Sequence, residues 1–152
     1  MKDTDPRIEM RPIGFVSRES PNEDERDRDL VSRVVFDEDL TPALNGIEDW
    51  SHIYVIFWLD RVVRAEESTL RHPDGEVGIL AARSPMHPNP LGLTLVELVM
   101  REGNILWVRG LDALDGTPVL DIKPYPDWER GRFITVSNFR VPEWLARIVD
   151  QK

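Results

Sequence analysis

Leu93-Thr94-Leu95-Val96-Glu97-Leu98-Val99-Met100, then Glu102-Gly103-Asn104, then Ile105-Leu106-Trp107-Val108-Arg109, is the stretch that decides the fold. Apolar residues alternate along the first run, a turn tripeptide interrupts it, and a second β-branched and aromatic run returns. This pattern predicts a β-hairpin. Upstream, His52-Ile53-Tyr54-Val55-Ile56-Phe57-Trp58-Leu59 has the composition of a strand without polar relief, which predicts a buried central strand. Asp60-Arg61-Val62-Val63-Arg64 is expected to carry it outward, and Leu70 to Gly75 to form a turn before a further strand, Val77 to Ala82.

Shorter runs extend the β reading in both directions. Ile8 to Ser17 alternates but contains Pro12 and Gly14, so a short interrupted strand is expected. Leu30 to Phe36 is β-branched and predicts another strand, and Asp39 to Gly46 predicts a brief helical turn closed by Asn45-Gly46. Downstream, Arg132 to Val136 reads as a strand and Pro142 to Val149 as an amphipathic helix with proline in its first turn. The segment 19–29 is almost wholly charged and reads as a loop, because it has nothing to bury. Many short strands, few helices and 12 prolines favour a mainly β protein, a small antiparallel or mixed β-barrel with short peripheral helices, over a doubly wound α/β fold.

Composition bounds the rest. A chain of 152 residues with 41% apolar and 31% charged residues is expected to fold as a single domain over 1–152. No apolar run approaches the roughly 18 residues that span a bilayer, and the N-terminus lacks the apolar core of a signal peptide. No membrane association is expected, and the expected location is the cytoplasm. Cysteine is absent, which excludes thiolate catalysis and cysteine-ligated metals. His52, His72 and His87 lack ligand spacing, so no metal is expected. A net charge of -9 argues against a strong general hold on nucleic acid.

Glycine-rich phosphate loops and dinucleotide fingerprints are missing, as is a nucleophile elbow around Ser17, Ser51 or Ser84. Two segments stand out instead. Arg83-Ser84-Pro85-Met86-His87-Pro88-Asn89-Pro90-Leu91-Gly92 and Leu114-Asp115-Gly116-Thr117-Pro118-Val119-Leu120-Asp121-Ile122-Lys123-Pro124-Tyr125 place prolines beside Asn, Asp, Ser and Gly. Such composition holds a fixed backbone path with exposed hydrogen-bonding groups. Both read as rigid, polar and unusable as core, and so as two walls of one site.

Arg83 to Thr94 resembles the Arg-Ser-Pro-x-Arg-Pro-Asn-Pro-Ile-Gly-Leu-Ser signature of the TsaA-like (TrmO, formerly UPF0066) family. Gly110 to Tyr125 is similar to that family's second signature almost residue for residue. Pro12-Ile13-Gly14 and Trp50 to Phe57 add to the likeness, which covers about residues 8–125. The resemblance implies a small barrel that binds S-adenosyl-L-methionine outside the Rossmann framework, usually as a homodimer. It also implies methylation of the N6 nitrogen of threonylcarbamoyladenosine next to the anticodon of tRNA. Alternatives are a methyltransferase acting on a small molecule and a non-catalytic cofactor-binding module.

Carried over by position, the implied cofactor contacts are Asp60, Arg83, Leu93, Ala113, Leu114, Asp115 and Gly116. The implied substrate-binding candidates are His87, Asn89, Lys123 and Tyr125. No catalytic base is singled out. Asp121, Lys123 and Tyr125 are the polar candidates, with an Asp121–Lys123 pair that merely ties the loop as the structural alternative. His87 stands where the family shows arginine, and the acidic 19–29 loop stands where relatives show a Pro-Arg-Gln contact. The chain ends soon after the second signature, where longer relatives carry a further domain. With the acidic charge, that lowers the expected hold on tRNA.

Overall fold

The computed structural model describes residues 8–19, 29–63, 68–72, 75–126, 128–129, 132–133, 142 and 147. The hairpin that dominates the sequence is present as β6 (Leu91–Glu102) and β7 (Ile105–Arg109). Gly103 takes a φ of 61° in the turn, a conformation that costs glycine no Cβ clash. The turn is also pinned from outside: Asn104 Nδ2 donates to the Phe36 carbonyl at 2.6 Å.

Six strands close into a barrel in the order β1 (Gly14–Ser17), β2 (Val31–Phe36), β7, β6, β3 (His52–Trp58) and β8 (Pro118–Tyr125), every pairing antiparallel. Closure gives each strand two neighbours over part of its length and so leaves few of the free edges that a short sheet would otherwise expose. The inward residues of each strand make the core. Val16, Val34, Ile53, Val55, Val96, Leu106, Val108 and Val119 are almost entirely removed from water. A hairpin of β4 (Thr69–His72) and β5 (Gly75–Gly78) and a second one of β9 (Trp128–Glu129) and β10 (Arg132–Phe133) lie outside the barrel.

Several expectations change. β3 is central, between β6 and β8, but only Ile53, Val55 and Phe57 are buried, while Tyr54, Ile56 and Trp58 look outward. A barrel strand has one core face only. The continuation through Asp60 fails, because Asp60 and Arg61 turn immediately after β3. Val77 to Ala82 divides into the end of β5 and a 3₁₀ turn at Ile79–Ala81, and only Ile79 is buried. The strand expected over Ile8 to Ser17 begins only at Gly14, behind Pro12.

The second proline-rich segment needs the largest correction. Beyond Thr117 it is strand β8, and Val119 and Leu120 are buried. Pro124 is tolerated there because β1 reaches only Pro118 and Val119, leaving the later part of β8 edge-like. The expected helical turn after β2 is a 3₁₀ helix over Glu38–Leu44, closed before Gly46 at φ 85°. The charged 19–29 loop falls outside the described residues at 20–28, as do most of the strand expected at 132–136 and of the helix at 142–149.

Arg101 is nearly buried and ties this 3₁₀ region to the hairpin, donating to the carbonyls of Leu44 and Thr41 and to Glu48 Oε1. The Glu48 carboxyl is held below its ordinary value of 4.5, first by its own backbone N–H and then by Arg101. A carboxyl depressed by folding contributes stability above its unfolded pKa and loses it as pH falls through the folded value. Glu48→Gln is therefore expected to flatten part of the acid-side loss of stability below about pH 4.5, as measured by thermal melts from pH 7 to pH 3. An acid limb identical to that of the wild type would contradict this assignment.

Candidate functional site

At the end of the barrel where β3 runs out, the two signature segments face one another across an open recess of about 670 Å³. This lies within the range of small-molecule sites. Asp60, Arg83, His87, Leu93, Ala113 and Leu114 all line it. They come from three separate parts of the chain.

The register explains why the recess is there. β6 pairs with β3 from Leu91 to Glu97, but β7 joins it only from Glu97 onward. The Leu98 N–H donates to the Ser51 carbonyl and the Leu59 N–H to the Pro90 carbonyl, so even-numbered residues of β6 turn their peptides toward β3. By the alternation of an antiparallel strand, Leu91, Leu93 and Leu95 turn theirs toward the open side. Arg83 Nη2 donates to the Leu93 carbonyl at 2.7 Å on that side, which fastens the first proline-rich loop to the strand edge.

His87 is half-buried in the same loop, with Nε2 2.8 Å from the Ala82 carbonyl. Nε2 is thus the protonated donor of that bond. The contact closes the loop on itself, so His87 acts as a strut of the recess wall.

The opposite wall is the Gly110–Thr117 turn, and it is pinned at many points. The Gly116 N–H donates to the Val16 carbonyl at 2.8 Å, the Thr117 N–H to the Leu114 carbonyl at 3.1 Å, and the Arg18 N–H to Asp115 Oδ1 at 2.8 Å. Arg18 is itself buried and donates from Nη2 to the Leu111 carbonyl at 2.6 Å. Arg61 Nη2 donates to the Asp115 carbonyl at 2.8 Å, so the turn after β3 and this wall are joined. Asp115 and Gly116 therefore do not line the recess; they hold the turn that presents Ala113 and Leu114. Gly116, at φ 78°, is where the chain needs a residue without a Cβ.

Other candidates lie elsewhere. Asn89 is exposed and outside the recess. Asp121 and Lys123 form an ion pair of 2.6 Å on the outer face of β8, the structural alternative foreseen for them. Tyr125 meets the Tyr54 ring edge-on, with centroids 5.6 Å apart. Sequence reasoning missed Asp112, Thr94, Ser84, Arg61 and Tyr54. Asp112 stands inside the second signature, but only the fold shows that it lines the recess and accepts a hydrogen bond from the Thr94 hydroxyl. Among the described residues no group of three or more His, Cys, Asp or Glu residues is arranged to hold a metal ion.

Comparison with known proteins follows the same residues. The family model for the tRNA-methyltransferase O N-terminal domain matches residues 15–128. The chain belongs to this family. Apart from Gly14, the first residue of β1, the barrel and both signature segments fall within the matched span. A probable S-adenosyl-L-methionine-binding protein of Methanothermobacter thermautotrophicus is 43% identical over 133 residues, which is 80% of this chain and 93% of that one. The tRNA (adenine(37)-N6)-methyltransferase of Mus musculus is 37% identical over 101 residues, 63% of this chain but only 23% of the mouse enzyme. The crystal structure of TrmO from P. aeruginosa superposes with a TM-score of 0.69 at 25% identity, covering 93% of this chain and 63% of that one. The shared fold of the family is the antiparallel barrel described above.

The recess suits S-adenosyl-L-methionine. Leu59, Leu91, Leu93 and Leu114 offer apolar surface, Asp60 offers negative charge to an ammonium, and Arg61 and Arg83 offer positive charge to a carboxylate.

Proposed function

We propose that this chain is an S-adenosyl-L-methionine-dependent methyltransferase that acts in the cytoplasm on the N6 nitrogen of threonylcarbamoyladenosine in tRNA, next to the anticodon. The observation that carries the reading is the recess at the open edge of β6, where both family signatures converge on one volume. The archaeal relative's name supports the cofactor, and the mouse relative's name supports an adenine N6 in tRNA as acceptor.

When bound, the cofactor supplies a methyl group activated by a positively charged sulfur. The chain's own residues hold and orient. Leu93 and Leu114 cover apolar ring surface, and the outward peptide edge of β6 offers a donor and acceptor to a purine edge. Arg83 and Asp60 supply charges for the amino-acid end. The Pro-rich loop, stiffened by the His87 strut, keeps these groups in one arrangement, so that less ordering remains to be done when ligand enters. Pairing of two copies is part of the proposal; Val99 and Met100 on β6 are exposed apolar side chains that such pairing would cover.

The test is direct. The purified chain is incubated with tRNA that carries threonylcarbamoyladenosine and with methyl-labelled cofactor, and the digested nucleosides are weighed by mass spectrometry. A label on N6 of that nucleoside is expected. The net charge of -9 favours a small-molecule acceptor as the second reading. Under that reading the cofactor binds but the RNA stays unlabelled.

A further inference from the structure

Beside the large recess lies a smaller one of about 300 Å³, lined by Tyr54, Arg83, Leu93, Thr94, Leu95 and Asp112. Arg83, Leu93, Thr94 and Asp112 border both. The two volumes thus share a wall of four residues. Group transfer needs this layout, because two reactants must meet with their reacting atoms about 3–3.5 Å apart while each keeps its own binding surface.

The small recess differs from the large one in its walls. Tyr54 stands on the outer face of β3, paired across the sheet with Leu95 of β6 and Lys123 of β8. Its ring is braced by Tyr125, edge-on at an interplanar angle of 85°. An aromatic ring held in place beside Leu93 and Leu95 is a surface on which a planar base stacks. Asp112 is the only carboxylate among the described residues that borders both volumes. The Thr94 hydroxyl, buried at β6, donates to its Oδ1. Oδ2 enters no hydrogen bond or ion pair among the described residues.

We propose that the smaller recess is the methyl-acceptor subsite, with Tyr54 as its stacking wall, and that Asp112 is the catalytic base. This rests on the methyltransferase reading above. A nitrogen that bridges a purine ring and a carbonyl group has its lone pair drawn into both, so loss of its proton during attack is what makes it nucleophilic. In the step, the acceptor nitrogen forms a bond to the methyl carbon while the sulfur–carbon bond breaks, and the electron pair of that bond stays on sulfur. The N–H proton passes to Asp112 Oδ2. Sulfonium, N–H and carboxylate become thioether, N–CH₃ and carboxylic acid, and Asp112 then returns its proton to water. Thr94 is the positioning residue, holding the carboxylate between the two volumes.

The experiment uses the full chain, with Asp112→Ala, Asp112→Asn and Tyr54→Ala compared against wild type. Cofactor affinity is measured by calorimetry, and single-turnover methyl transfer uses an anticodon stem-loop that carries threonylcarbamoyladenosine. Loss of a general base predicts a fall in the transfer rate of about 10²–10⁴-fold in both Asp112 variants. Cofactor affinity should stay within about 3-fold of wild type, since the base acts on the acceptor. Added formate should restore part of the rate to Asp112→Ala, where the truncated side chain leaves room, and none to Asp112→Asn; a purely structural role gives no such rescue. Tyr54→Ala should weaken stem-loop binding at unchanged cofactor affinity. If wild type is active and Asp112→Ala keeps its rate, or loses cofactor affinity in step with rate, the inference is overturned while the methyltransferase reading stands. If wild type binds cofactor but labels no stem-loop, both the tRNA reading and the acceptor subsite are wrong.

Discussion

Replacing Gly92 by alanine is expected to destabilise the barrel by about 1–3 kcal/mol, the cost of inserting a methyl group into a packed core. Gly92 belongs to the first signature, yet its role is internal. A Cβ placed there would lie 2.1–2.5 Å from three atoms of the Phe57 ring, well inside van der Waals contact. Phe57 is 2% exposed and pairs with Gly92 across β3 and β6, so the ring has little room to retreat. The effect should appear as a lower denaturant midpoint with an unchanged slope. Phe57→Leu shortens the opposing side chain, and the double variant should be less destabilised than the sum of the two single changes, as contacting residues couple. Strict additivity would show that Gly92 does not serve the ring.

Arg83→Ala is expected to weaken S-adenosyl-L-methionine binding by roughly 10- to 100-fold with little change in stability. A hydrogen bond from a charged group contributes about 1.5–3 kcal/mol, and each 1.4 kcal/mol is a factor of ten. The side chain does two things at once: Nη2 ties the proline-rich loop to the Leu93 carbonyl, and the residue lines both recesses. Because the guanidinium is exposed, its loss should barely move the melting temperature. Calorimetry on the variant provides the check. Wild-type affinity would remove Arg83 from the site, and a large drop in melting temperature would make it a folding residue instead. Arg83→Lys should recover only part of the affinity, since an ammonium lacks the planar fork.

Much of this was legible from the residues. The alternation in β6 and β7 with Gly103 between them can be satisfied only by a hairpin, because helical periodicity would place charged Glu97 and Arg109 among apolar neighbours. The two signatures marked Arg83, Leu93, Ala113 and Leu114, and all four line one recess. Local pattern misled where a segment's role depends on what it pairs with. Pro118 to Tyr125 has the composition of a loop, but pairing with β3 makes it a barrel strand and puts Val119 in the core. Tyr54 sits in an apolar run whose composition predicts burial throughout, whereas a strand in a closed barrel must show every second residue to the outside.

What the sequence determined by itself is the β class, the positions of the main strands and the two segments that carry the chemistry, because periodicity, glycine and proline act over a few neighbouring residues. Tertiary structure alone decided which edge of β6 stays open, that His87 turns back onto Ala82, that Asp115 pins a turn, and that Asp112 stands between two recesses. These depend on strand register and on contacts between residues such as Thr94 and Asp112, which lie far apart along the chain. No local propensity encodes such distances; they follow only when closure of the barrel brings those strands and loops to one end.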